Sequence, residues 1–449
     1  MPFYFLKWNI IKFMEEFMYK LYSLGNGLRV ALEKIDYVQS VSIGLWVKNG
    51  SRNEDKYNNG ISHFIEHMMF KGTNNRTAKE IVKTIEDLGG HINAFTGKEA
   101  TCYYIKLLYT HLDVALDILS DMIFNSKFSE EDIELEKGVI LEEISMDEDS
   151  PEDVLVELHT KAAWGDDSIS LPILGSAKGV KSFTRDNIIE YLKHHYTPEN
   201  CVISIAGNFD ESIYKLIEDY FGKWKALNEE SVVYSTPNVL SHHLFRKKEI
   251  EQLHMDLGMY GVEVGDEDMY TLLLLNNIFG GSTSSILFQK IREEKGRCYS
   301  IYSYVNSYNN TGILNIYTGL NPKYSIEVLK LIMEEVDNFY NSYISKEQII
   351  KGKEGLKGSY ILGLESTSSR MFSNGRSVLF LNRINRPEDI IKKIDNIDSE
   401  SIHRIKENTF KKGIINSAFV GEYIDIETVK NMMGESINLF KSSPNSTFI

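Results

Sequence analysis

Strand-forming and helix-forming segments alternate along the whole chain, and the alternation can be read twice, which predicts an α+β protein of two homologous α/β domains. The length agrees, because 449 residues exceed what one domain of about 100 to 250 residues organises. Near the middle, Asn228 to His243 is polar, contains Pro237 and lacks a sustained helical period. It reads as a linker over 228–243, between a first domain at 18–227 and a second at 244–449.

The first seventeen residues are apolar in character, but Lys7 and Lys12 interrupt them and no small-residue cleavage site follows. Residues 1–17 therefore read as an extension rather than a secretion signal, with Met18 just ahead of the first strand-like segment. Leu28 to Leu32 and Val41 to Val47 read as strands, whereas Ala78 to Leu88 and Ile133 to Met146 carry helical spacing. The second half echoes the first in order. Val41-Ser-Ile-Gly44 is matched by Met255-Asp-Leu-Gly258, an offset of 258 − 44 = 214, and the glycine ending Val202 to Gly207 by that ending Ser417 to Gly421, 421 − 207 = 214. The helix starts at Ser129 and Ser345 differ by 345 − 129 = 216. In-order matches at near-constant offset indicate a duplicated domain.

A formal net charge of −15 argues against a sequence-independent nucleic-acid binder, which needs clustered Lys and Arg against phosphate. Cys102, Cys201 and Cys298 stand far apart without a CxxC pair, so neither a disulfide framework nor a cysteine metal site is expected. Reduced, partly buried thiols and a cytoplasmic location follow from that reading. No apolar run approaches the roughly 20 residues of a membrane span.

The stretch that carries chemistry is His63-Phe-Ile-Glu66-His67. On a helix, residues i and i+4 point the same way, so His63 and His67 can offer nitrogens to one ion while Glu66 stands beside them. This is the inverted zincin order, HxxEH. At this chain's own His and Glu frequencies it arises by chance in only about 2 to 3 sequences per hundred of this length. Two imidazoles and a carboxylate with an open position suit Zn2+, and Glu66 would take a proton from water and return it to the leaving amine.

The segment Ile133 to Ile144 offers the third ligand. At about 100° per residue, Glu136 and Glu143 nearly coincide, between Val139 and Ile140 on the apolar side, while Glu142 projects about 100° away. Carboxylates on an apolar face need a metal or a cation. Helical phase alone does not choose between Glu136 and Glu143.

At this point the chain resembles the pitrilysin or insulinase-like zinc metallopeptidases, the M16 family of inverzincins, and within it the β-subunit of the mitochondrial processing peptidase and its bacterial homologues. The resemblance covers nearly everything from Met18 onward. It rests on Gly60-Ile-Ser-His63-Phe-Ile-Glu66-His67-Met-Met-Phe-Lys-Gly-Thr73 and on Glu143, 143 − 67 = 76 positions after the second histidine. It implies one Zn2+ per chain on His63, His67 and Glu143, Glu66 as general base and acid, and Glu136 as a second carboxylate supporting the site. It also implies two α/β-roll domains, each a mostly antiparallel sheet packed with helices, forming half of a clamshell chamber. Under the duplication Glu143 falls on Ser359, and there is no second HxxEH, so one copy is catalytic and the other supportive.

The glycine turn and strand from Gly89 to Tyr104 hold Asn93 and Ala94, which match a segment the family uses to add an extended peptide as another strand; an interior strand without function would look similar. In the second half, Arg292 and Tyr299, seven residues apart, would by default be a surface ion pair and a core aromatic. They match a family pair that holds the substrate backbone and stabilises the oxyanion. Asp153 and Glu157 fall where the processing peptidase carries acidic recognition residues, although solvated helix charges look the same. The resemblance thus implies an endopeptidase for unfolded peptides or presequence-like segments, working as a homodimer in which each zinc site faces Arg292 and Tyr299 of the other chain. The competing reading is a non-catalytic docking subunit of the same fold.

Overall fold

The computed structural model describes residues 18–225, 233–433 and 437–440. The proposed extension 1–17 and the first part of the linker, 228–232, lie outside them. The described residues form two compact units, the first from those within 1–141, 173–233 and 361–386 and the second from those within 142–172, 234–360 and 387–449.

The first unit is built on a six-stranded sheet of β1 (Tyr19–Ser23), β2 (Arg29–Lys34), β3 (Ser40–Val47), β4 (His91–Thr96), β5 (Thr101–Leu108) and β6 (Cys201–Gly207), in the order β1-β2-β6-β3-β5-β4. Every adjacent pair is antiparallel except β2 with β6. The second unit repeats the plan with β7 (His243–Lys247), β8 (Leu253–Tyr260), β9 (Ser300–Tyr308), β10 (Thr311–Leu320), β11 (Asn416–Gly421) and β12 (Ile437–Phe440), ordered β12-β7-β11-β8-β10-β9. Here β7 is parallel to both β11 and β12, and the other pairs are antiparallel. Both sheets are mixed and open, with antiparallel pairs in the majority, as the family resemblance implies.

β3 and β6 are buried along nearly their whole length because helices cover both faces of the sheet, which is why they read as continuous apolar runs. On one face of the first sheet lie the helices Ile61–Met69, Ala78–Glu86 and Leu112–Asn125. On β2, β3 and β6 the cover is Thr367–Leu381, a helix from the second half of the chain. Conversely, Pro151–Trp164 from the first half packs on β7, β8 and β11. The units thus trade one helix each across the division at 228–243 that chain order suggests. An amphipathic period shows that a helix has a buried face, not which sheet buries it.

The duplicated glycines have a physical cause in these crossings. A Cβ on Gly44 in β3 would come within 2.3 Å of Met371 Sδ on the covering helix, and a Cβ on Gly258 in β8 within 2.8 Å of His159 Nε2 on the other. The helix approaches each sheet where a side chain is missing. With Gly44 aligned on Gly258, their partners on the next strands are Ser204 and Asn416, 416 − 204 = 212, so the echo of Gly207 in Gly421 has slipped two residues against the ladder. A slip of two keeps every side chain on its original face.

No helix among the described residues is long and apolar enough to cross a membrane.

Candidate metal centre

The helix Ile61–Met69 begins at Gly60, which has φ +96°, and a Cβ there would meet Leu174 O at 2.7 Å, so the turn into the helix requires glycine. Ile61, Phe64, Ile65, Met68 and Met69 are buried and hold the helix against its unit. Its remaining face presents His63, Glu66 and His67, the last two half-buried.

His63 is 7% exposed. Burial, and then the neighbouring His67, push its imidazole down to about 3, so the ring is neutral and keeps the lone pair that a metal needs. His67 Nδ1 lies 2.7 Å from Glu136 Oε1. Lys71 pairs with the other oxygen of Glu136. Burial alone would raise the Glu136 carboxyl, but the hydrogen bonds from His67 and Lys71 hold it below its ordinary value. An ionised Glu136 only accepts, so Nδ1 of His67 carries the proton and Nε2 is the nitrogen presented to an ion.

Glu136 and Glu143 both ride on the helix Glu130–Asp149. Two helical turns separate the two glutamates, so they share a face. One donor atom each from His63, His67 and Glu143 lie within 4.8 Å of one another. Donors around a tetrahedral zinc stand about 3.3 Å apart, a distance small side-chain rotations reach. Two neutral-capable imidazoles and a carboxylate form a donor set suited to zinc with a position left open, so these residues fit that ion. Glu136, 2% exposed and committed to His67 and Lys71, stands behind the cluster.

Val139, expected beside Ile140 on the apolar side, does not lie on the buried face of this helix. Val139 is 51% exposed, as are Leu135 and Met146 at 65% and 70%, whereas Ile133, Glu136 and Ile140 are buried. The buried face follows the i, i+3, i+7 row through Glu136, and Val139 lies outside it.

Glu66 accepts a hydrogen bond from Thr96 Oγ1 at 2.5 Å. Thr96 closes β4, the strand at the end of the first sheet's order, where exposed and half-buried residues alternate. Asn93 and Ala94 lie on that strand, and the Ala94 N–H donates to Asn93 Oδ1 at 2.8 Å. In the second unit the Arg292 guanidinium stacks 4.6 Å from the Phe288 ring and 5.6 Å from that of Tyr299, which is 75% exposed. Asp153 is exposed and Glu157 half-buried on the helix capped by Ser150. Sequence reasoning missed Lys71 and Thr96. The only signals were a lysine four residues beyond His67, and a threonine two residues beyond Ala94, on the same side of the strand.

Residues 29–177 match the family described as Insulinase (Peptidase family M16), and residues 182–356 that described as Peptidase M16 inactive domain. The uncharacterized zinc protease YmxG of Bacillus subtilis is 42% identical over 393 residues, covering 88% of this chain and 96% of the relative. An uncharacterized zinc protease of Streptomyces coelicolor is 35% identical over 392 residues, 85% of each chain. In fold, the crystal structure of a protease from Helicobacter pylori superposes with a TM-score of 0.82 at 21% identity, covering 90% of this chain and 99% of the other. With both halves matched in order and the curated relatives aligned over most of their length, the chain belongs to peptidase family M16.

Proposed function

We propose that this chain is a zinc-dependent endopeptidase of the processing-peptidase kind, acting on unfolded peptides or presequence-like segments. The observation that supports it most is the convergence of His63, His67 and Glu143 donors within 4.8 Å. Zinc, when bound, supplies Lewis-acid activation of water and of the scissile carbonyl. His63, His67 and Glu143 hold it, with Glu136 fixing the tautomer of His67. Glu66 takes the proton of the attacking water and delivers it to the leaving amine, its carboxylate aimed by Thr96.

The substrate adds in extended form along β4, binding through its backbone. The Ala94 N–H then exchanges its bond to Asn93 for one to the peptide, so the edge is kept satisfied until substrate arrives. Arg292 and Tyr299 act as donors to the substrate backbone and the oxyanion, contributed to the site from a second copy in a homodimer with a half-chamber in each chain. Asp153 and Glu157 offer carboxylates to basic side chains. The cytoplasm, with its reduced thiols, is the compartment that suits free Cys102, Cys201 and Cys298.

The test is metal analysis of purified protein together with mass-spectrometric readout of a varied unfolded-peptide library. One zinc per chain with cleavage at defined bonds is expected. A zinc-loaded wild type that cleaves no peptide contradicts the reading.

A further inference from the structure

Against the first turn of the His63 helix lies a group of buried polar side chains that the metal chemistry does not use. Ser62 immediately precedes His63 and is 0% exposed; Asn49 is also 0%, Glu54 4% and Tyr191 7% exposed. Asn49 Nδ2 donates to Ser62 Oγ at 3.0 Å, and Tyr191 O–H donates to Asn49 Oδ1 at 2.8 Å. The Ser62 and Tyr191 hydroxyl oxygens are 3.1 Å apart. Tyr191 has one proton, and Asn49 receives it, so in the Ser62–Tyr191 contact Ser62 is the donor, its hydroxyl also standing against the Glu54 carboxylate. The three bonds close a ring with a single direction, Asn49 to Ser62 to Tyr191 and back to Asn49.

The backbone of the same turn is held as firmly. Ser62 N–H donates to Glu54 Oε1 at 2.8 Å and Gly60 N–H to Glu54 Oε2 at 2.7 Å. One carboxylate therefore bridges two of the amides that a helix start leaves without intrahelical partners. Asn49 follows β3 and Tyr191 lies on the helix Arg185–His195, so the ring ties the ligand helix to two other elements of its own unit.

A helix of nine residues is too short to hold its place by backbone cooperativity alone. Apolar contacts at Phe64, Ile65 and Met68 bury one face, but they are non-directional and permit small rotations about the axis. Hydrogen bonds are directional, and in a buried ring each lost partner leaves another group unsatisfied.

We propose that Asn49, Glu54 and Tyr191 are positioning residues that clamp Ser62 and thereby set the rotation and height of the turn that presents His63 to the metal. This rests on the reading of His63 as a metal ligand. The residues touch neither substrate nor ion. They act on metal affinity and geometry through the backbone between Ser62 and His63.

The experiment compares full-length wild type with Tyr191→Phe, Ser62→Ala and the double variant. Zinc affinity is read by competition with a chromophoric chelator, ligand geometry by the visible absorption of the cobalt-substituted proteins, and folding by thermal unfolding of the metal-free forms. Each single variant is expected to bind zinc about 10-fold more weakly, in the range of outer-shell substitutions, with an altered cobalt spectrum at temperatures where the metal-free protein is folded. The double variant is expected to lose little more than either single one, because both break the same ring. Glu54→Gln, which leaves the ring intact and exchanges one backbone acceptor for a donor, is expected to weaken zinc independently, and it serves if the ring variants do not fold. Wild-type affinity and spectrum in the folded variants, whatever their melting temperatures, would overturn the clamp. A folded wild type that takes up no zinc would overturn the metal reading itself, and the clamp with it.

Discussion

Thr96 Oγ1 donates to Glu66 Oε2 at 2.5 Å, so the end of an edge strand holds the carboxylate that stands between the two histidines of the HxxEH helix. Thr101 Oγ1 lies 3.4 Å from Thr96 Oγ1 and 2.9 Å from Asn49 O, which keeps the hairpin end in register with the helix start. One strand therefore carries both the proposed peptide-binding edge and the threonine bonded to the proposed base.

Removing the Thr96 hydroxyl while keeping its shape should cost turnover rather than metal. Thr96→Val is expected to lower kcat/KM by about 10-fold or more, on the scale of lost positioning of a general base, with zinc content unchanged. Thr96→Ser, which keeps the donor, should retain most activity. Steady-state kinetics beside metal analysis checks both, and equal losses in the two variants would refute an orienting role for the hydroxyl.

Glu136 should matter for the metal before it matters for the reaction. Glu136→Gln leaves an oxygen for His67 Nδ1 but removes the charge that Lys71 balances, so zinc affinity is expected to fall about 10- to 100-fold. A chelator titration measures it. Unchanged affinity would mean that Glu136 serves only as the ion-pair partner of Lys71.

The low value at His63 has a signed consequence for the metal-free protein. Its folded value near 3 lies below its ordinary 6.5, so between those values the unfolded chain binds more protons and stability rises with pH. This contribution is present above about 6.5 and is lost as pH falls towards 3. Denaturant unfolding of chelator-treated protein across this window should show a shallower pH slope in His63→Gln than in wild type. Identical slopes would show that His63 titrates as a solvated histidine.

The helix that covers β2, β3 and β6 leaves no room at Gly375, where a Cβ would fall 2.0 Å from Trp46 Nε1, and Trp46 is only 4% exposed. Gly375→Ala is expected to destabilise by about 1 to 3 kcal/mol through overpacking, despite the better helix propensity of alanine. Chemical denaturation decides it. A stabilised variant would mean that the helix can lift from the sheet at no cost.

Much of this was legible in the residues. His63, Glu66 and His67 sit on one helix because a spacing of four is a property of the α-helix itself, and the shared phase of Glu136 and Glu143 follows from the same geometry. Gly44 and Gly258 betrayed the duplication because each occupies the same crowded crossing. The exchange of Thr367–Leu381 and Pro151–Trp164 between sheets was not legible, since local periodicity carries no long-range address. The exposure of Val139 escaped for a related reason: apolar character states a preference, and tertiary packing decides which row of a helix is buried. Thr96 and Lys71 were invisible because a single threonine or lysine acquires meaning only from what it touches.

The most direct test is Glu66→Gln. The substitution keeps size and hydrogen-bonding capacity while removing the basic carboxylate, so the variant is expected to bind one zinc per chain like wild type, unfold at a similar temperature and lose about 100- to 10,000-fold in kcat on a peptide that wild type cleaves. Cleavage at the wild-type rate by a zinc-loaded Glu66→Gln protein would contradict the account.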